Sequence, residues 1–167
     1  MYIYTMLSFT SLVDIMEKLK VTLGTREFPP DYTCDGTDRS PPLYIEGLNE
    51  NVKALAVIMV DSSSSGGGTF THWIIWNIEP VRILPEALDK EPEITFPVRA
   101  LQGVNDFGQI GYSGPCPESG PPHRYVFKVY ALDQELPLTG GASKDELAKA
   151  LAGRIIQFGD AEAIYSR

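Results

Sequence analysis

The chain carries two histidines, His72 and His123, and both stand at the start of long apolar runs. His72 precedes Trp73-Ile74-Ile75-Trp76, and His123 precedes Arg124-Tyr125-Val126-Phe127. Near neutral pH an imidazole can donate, accept or carry charge, so it suits proton transfer, anion binding or metal ligation. Asp61 closes the apolar run ahead of His72, and a carboxylate at a strand end can reach the same rim and orient an imidazole. Two glycine-rich stretches flank the histidines. Gly66-Gly67-Gly68 precedes His72, and the stretch 103–122 before His123 holds Gly103, Gly108, Gly111, Gly114, Gly120, Pro115, Pro117, Pro121 and Pro122. Glycine lets backbone N–H groups approach a ligand without side-chain obstruction. A rigid loop of this length in a compact domain is expected to serve a site.

Other chemistries compete for the same residues. His72, His123, Cys34, Cys116 and Asp61 would suffice to ligate a metal, but structural zinc sites show closely spaced Cys or His pairs and none occurs here. Ser113 and Cys116 are available as nucleophiles, yet there is no GxSxG elbow. Ser62, Ser63, Ser64 and Ser65 read as a flexible turn. Trp73, Trp76, Tyr125, Phe127 and Tyr130 read as core and sheet-face residues, some of them able to line a pocket. Tyr165 is either a terminal residue without a role or a hydroxyl folded back over a site.

These residues need strands to position them. Leu55-Ala56-Val57-Ile58-Met59-Val60 is continuously apolar, as expected of a strand buried on both faces. Thr71–Ile78 is aromatic and β-branched and is closed by Pro80, and Tyr125–Leu132 is a third long run. Residues 20–24, 43–45 and 94–98 are shorter candidates. One helix is signposted after the Gly140-Gly141 turn. Ser143 and Glu146 fit a capping box, and Leu147, Leu151 and Ile155 follow four apart. Strands followed by a helix, without βαβ alternation, predict a mostly β fold. Phe107, Ile110 and Tyr112 are expected to anchor the 103–122 loop on the core.

Composition supports this plan. The 167 residues suit one domain, and 43% are hydrophobic, enough for a core. The 15 glycines and 13 prolines exceed the roughly 12% share of an average chain, which favours tight turns over a helix bundle. With 22 acidic and 14 basic residues the formal net charge is −8, which argues against nucleic acid as a partner. No apolar run approaches the length of a membrane span. The N-terminus lacks a basic start and a small-residue cleavage site, so it does not read as a signal peptide, and a cytoplasmic location is expected. Residues 1–19 read as an extension, helical or flexible, and 20–167 as a single domain.

From about residue 20 onward the chain resembles the phosphatidylethanolamine-binding proteins, in their bacterial and archaeal Raf-kinase-inhibitor-like branch. Four stretches carry the resemblance in order: Tyr32-Thr33-Cys34-Asp35-Gly36 with Ser40-Pro41-Pro42-Leu43; Val60-Asp61 with Thr71-His72-Trp73-Ile74-Ile75-Trp76-Asn77-Ile78; Gly111-Tyr112-Ser113-Gly114-Pro115-Cys116-Pro117 with His123-Arg124-Tyr125-Val126-Phe127; and Tyr130-Ala131-Leu132-Asp133 with the helix. Each is modest alone, but four at compatible spacing are specific.

The resemblance implies a large central antiparallel sheet packed with a smaller one in Greek-key fashion, and a C-terminal helix. It also implies a small pocket for phosphate or a phospholipid head group, lined by Asp61, His72, Gly114, Pro115, His123 and Tyr125. It implies a non-enzymatic binding protein that modulates a kinase or peptidase, a homodimer, and no cofactor or metal. A hydrolase using the His72/His123/Asp61 cluster, and an interaction protein with a vestigial pocket, are the rival readings. One departure stands out. The family's Asp-Pro-Asp-Ala-Pro is here Asp61-Ser62-Ser63-Ser64-Ser65, so Ser63 replaces the second acid and both rigidifying prolines are gone. Ala163-Ile164 likewise replaces the small Gly-Thr before Tyr165. Cys34 and Cys116 fall in two loops of the implied site, where a bridge is expected in an oxidising or hyperthermophilic setting and two thiols in an ordinary cytosol.

Overall fold

The computed structural model describes residues 17–63 and 68–167. Most of the expected N-terminal extension, and the middle of the serine-glycine turn, lie outside them. Among the described residues ten strands and one α-helix follow in order: β1 Glu17–Lys18, β2 Lys20–Thr22, β3 Leu43–Glu46, β4 Ala54–Asp61, β5 Phe70–Ile78, β6 Ile83–Leu84, β7 Glu93–Ile94, β8 Ala100–Gln102, β9 His123–Leu132, α1 Lys144–Leu151 and β10 Ile155–Tyr165. A seven-stranded sheet has the order β1-β10-β9-β4-β5-β8-β7, and a three-stranded sheet the order β2-β3-β6. All pairings are antiparallel except β1 with β10.

The continuous apolar run becomes β4, which lies between β9 and β5 at the centre of the large sheet. Alternation sends Leu55, Val57 and Met59 into the core against Leu43, Ile45 and Leu84 of the small sheet. Ala54 and Ala56 face the other way, into a second cluster with Ile74, Trp76, Leu147 and Leu151 beneath α1. Both faces of the strand are therefore covered, the arrangement its unbroken hydrophobicity requires. Trp73 and Trp76 are fully buried on opposite sides, and each indole N–H is satisfied, by Gln102 Oε1 at 2.8 Å and by the Leu138 carbonyl at 3.3 Å.

Helix α1 starts as the sequence predicts. Ser143 Oγ accepts the Glu146 N–H while the Glu146 carboxylate accepts the Ser143 N–H. It ends at Leu151, earlier than the four-residue spacing through Ile155 suggests. Gly153 takes φ 78°, which breaks the helical path, and Ile155 opens the eleven-residue strand β10. That strand, interrupted by Gly159 and Asp160, has no clean alternation in the sequence. The glycine is required by crowding, since a Cβ on Gly159 would sit 2.5 Å from the Leu19 carbonyl oxygen. Residues 17–19, read from sequence as part of the extension, join the domain here: β1 pairs with β10, and Leu19 is buried. Of the expected 94–98 strand only the start forms, as Glu93–Ile94, and the chain turns before β8.

Among the described residues no helix is long and apolar enough to cross a membrane. Loss of the α1 cap should be measurable: Ser143→Ala is expected to lower unfolding free energy by about 1 kcal/mol, read as a shift in urea midpoint with unchanged slope.

Candidate functional site

The end of β4, the start of β5 and the start of β9 meet at one end of the large sheet, where these central strands terminate. Asp61 pairs in register with both Phe70 of β5 and Tyr125 of β9. Between Met59 and Val60 the β4–β5 register slips: Met59 faces Trp73, but Val60 faces Thr71. His72 is the extra residue of this β-bulge. In a regular strand His72 and Trp73 would point to opposite faces. Here the His72 ring lies 5.3 Å from that of Tyr125, and Trp73 belongs to the same core cluster as Tyr125. The bulge therefore turns two consecutive side chains toward one side, a common use of such irregularities near sites.

A cavity of about 280 Å³ results, lined by Asp61, Phe70, His72, Phe107, Cys116, Pro117, His123 and Tyr125. Four of the six expected site residues thus come together. The other two do not line it. The Gly114 N–H donates to Asp38 Oδ1 at 2.8 Å, and the Pro115 carbonyl accepts from Cys34 N at 3.1 Å. Gly114 is packed so tightly that a Cβ would fall 2.2 Å from the Tyr32 carbonyl oxygen. The glycine serves contact between loops, and its N–H is already engaged.

The polar groups are fixed by identifiable bonds. His123 Nδ1 donates to Asp61 Oδ2 at 2.7 Å, while Asp61 Oδ1 accepts the Ser63 N–H at 2.8 Å. Asp61 is 6% exposed, so both bonds compensate a buried carboxylate. Ser62 Oγ donates to the Arg124 carbonyl and Ser63 Oγ accepts the Arg124 N–H. The first two serines of the turn are thereby fastened to β9, and Ser63, at the family's second acid, contributes no carboxylate. His72 Nδ1 lies 2.6 Å from the Ser113 carbonyl oxygen, which can only accept, so Nδ1 carries the proton. Burial lowers the His72 pKa, opposed in smaller measure by the Ser113 carbonyl and the Asp61 charge. The Tyr125 hydroxyl has its pKa raised chiefly by burial and remains a donor at all ordinary pH. The rings of Phe70 and Phe107 stand edge-on to His72 at 5.2 and 5.3 Å.

The 103–122 loop is organised by a residue that sequence reading passed over. The buried side chain of Asn105 accepts the N–H groups of Phe107 and Gln109 and donates to Gly111 O and Ser113 Oγ. Of the expected anchors, Tyr112 is buried and bonds the Tyr32 carbonyl, whereas Phe107 is half-exposed and forms a cavity wall. Phe70 was also missed, although it sits two positions before His72 on the same strand. Cys34 and Cys116 form a disulfide with Cα atoms 5.4 Å apart, one of the two outcomes that the sequence leaves open. The Tyr165 hydroxyl donates to Asp35 Oδ2 in the same loop, and this bond is the largest cause of its raised pKa. Among the described residues no three His, Cys, Asp or Glu side chains are placed to hold a metal ion.

Comparison with known proteins identifies the family of this mostly β domain. The family model "Phosphatidylethanolamine-binding protein" matches residues 20–166, and the chain belongs to that family. It is 53% identical over 152 residues to a UPF0098 protein of Pyrococcus horikoshii, covering 90% of this chain and 76% of that one. A UPF0098 protein of Pyrococcus abyssi is 52% identical, with coverages of 91% and 86%. Among solved structures, a phosphatidylethanolamine-binding protein homologue of Chlamydia trachomatis superposes with TM-score 0.77 at 32% identity, covering 90% of this chain and 99% of its own. YbcL of Escherichia coli superposes with TM-score 0.79 at 29% identity, with coverages of 89% and 98%.

Two outcomes follow from the geometry. Alkylation of denatured but unreduced protein should label neither cysteine, and labelling of both by mass would refute the bridge. Because the folded state keeps His72 neutral while the unfolded chain protonates near the ordinary value of 6.5, the stability His72 contributes is present above that pH and is lost as pH falls toward the lower folded-state value. The stability difference between wild type and His72→Gln, measured in phosphate-free buffer, should shrink between about pH 7 and 5. Parallel stability curves would show that His72 does not titrate this way.

Proposed function

We propose that this chain is a non-enzymatic binding protein that holds one small anion, phosphate or a phosphate-bearing head group, in the cavity between His72, His123 and Tyr125, and that occupancy modulates a protein target such as a kinase or peptidase. The observation that carries this reading is the set of unengaged polar atoms facing a small space. Among the described residues neither the Tyr125 hydroxyl nor Nε2 of either histidine has a hydrogen-bond partner, yet none is sealed from solvent. Tyr125 supplies a neutral donor. His123, its Nδ1–H held by Asp61, offers Nε2–H with positive charge when protonated, the kind of donor that binds anionic oxygen best. Asp61 acts as a positioning residue, both oxygens being committed. The acidic net charge is no obstacle to a single anion held by aimed local donors.

A hydrolase reading has one point in its favour, the Asp61–His123 hydrogen bond. Among the described residues no free serine hydroxyl or cysteine thiol stands beside that pair as a nucleophile. The Ser62 and Ser63 hydroxyls are spent on the Arg124 backbone, Ser113 Oγ is bonded to Asn105, and both cysteines are bridged. This supports binding over turnover.

Calorimetry with inorganic phosphate and phosphoethanolamine tests the proposal. Tyr125→Phe and His123→Ala should each weaken binding about tenfold, the worth of one hydrogen bond to a charged group. His123 is partly exposed, so its replacement should leave the fold intact. Unchanged affinity in both variants would remove these residues from the site.

A further inference from the structure

We propose that His72 makes this cavity selective for a ligand that itself carries an acidic proton, protonated inorganic phosphate or a phosphomonoester, over sulfate and over phosphodiesters such as an intact lipid head group. The inference rests on the anion-binding reading and specifies which anion.

The argument starts from a tautomer. The Ser113 carbonyl has no proton to give, so the 2.6 Å contact fixes the hydrogen on Nδ1 of His72. Nε2 of the neutral ring is then a lone pair. His72 is 3% exposed and lines the cavity. Nε2 has no partner among the described residues, and Arg39 Nε is the one fully enclosed side-chain N or O atom there without a hydrogen bond. The lone pair therefore opens into the cavity. Three aromatic rings, from Phe70, Phe107 and Tyr125, hold the imidazole in this orientation. The charged groups bearing on it are Asp61 from the end of β4 and Asp38 from the loop behind Ser113, both of which favour protonation, whereas burial outweighs them and favours the neutral ring. His123 lines the same cavity, its ring stacked on Tyr125 with centroids 6.3 Å apart.

A cavity floored by an acceptor treats anions differently according to their protons. Sulfate and a phosphodiester present only lone pairs, and one of their oxygens would meet the Nε2 lone pair without a hydrogen between them. A phosphomonoester, whose second ionisation lies near about pH 6, can keep a P–OH and donate it to Nε2. Sites that expect a donor reject analogues lacking it far more strongly than apolar pockets reject a change of shape. The geometry thus favours the monoester over the diester even when both carry the same ethanolamine.

Four probes separate the possibilities by calorimetry at pH 7: inorganic phosphate, sulfate, phosphoethanolamine and glycerophosphoethanolamine. Phosphate should bind at least about tenfold tighter than sulfate, and phosphoethanolamine at least about tenfold tighter than the glycerol diester. As pH falls the monoester preference should first rise, because more of the ligand keeps its P–OH, and then shrink once His72 is protonated and donates to any anion. His72→Gln, whose amide can turn its NH₂ to the ligand, should reduce both ratios at pH 7. Equal affinities at pH 7, or tighter binding of the diester, would overturn the selectivity while leaving the anion pocket standing. Binding of none of the four would overturn the pocket itself. Should the variant fail to fold, the pH series on the unaltered protein decides, and ratios that do not change with pH refute the role of His72.

Discussion

The site depends on one slip of register between two central strands. β4 must keep both faces buried, so its alternation fixes which way every neighbouring side chain can point. Without the bulge in β5 opposite Met59 and Val60, His72 would turn away from Tyr125 toward the face covered by α1. With it, a histidine and a tryptophan adjacent in sequence share one side of the sheet. Trp73 then fills the core beside Tyr112, and His72 reaches the cavity.

What surrounds the bulge is a set of loops tied to one another and to this end of the sheet. Asn105 folds the glycine-rich stretch on itself, and the Cys34–Cys116 bridge joins it to the 30–40 loop. The Gly114–Asp38 bond adds a further tie, while Tyr165 from the last strand holds Asp35. A disulfide closing so long a loop restricts the unfolded chain and stabilises by about 2–4 kcal/mol. Here it also fixes a cavity wall, since Cys116 is part of the lining. The glycines that suggested a backbone cradle for an anion are used instead for close contact between these loops.

The cavity's electrostatics are correspondingly local. Asp61 and His123 are locked together, His72 is held neutral by burial, and Tyr125 is a donor that cannot readily ionise. In the proposed anion-binding role, such a set acts through the placement of its protons as well as through charge. A chain with an acidic surface can therefore have an affinity for one small anion that is unrelated to its net charge.

The sequence by itself determined three of the long strands, β4, β5 and β9, the helix start, the family, and four of the residues that meet in the cavity. Each of these is written locally, as unbroken apolar runs, a capping box, or short motifs in order. Tertiary structure decided the rest. β10 and β1 extend the large sheet beyond β9, where Gly159 admits Leu19, and no periodicity in residues 155–165 announces it. Phe70 and Phe107 became cavity walls, and Gly114 and Pro115 became loop joints, through contacts between segments far apart in the chain. The tautomer of His72 was likewise beyond reach of its neighbours in sequence, because it is set by a carbonyl 41 positions away. Hydrophobic pattern and capping act within a few residues, whereas register, hydrogen-bond partner and burial are properties of the packed chain.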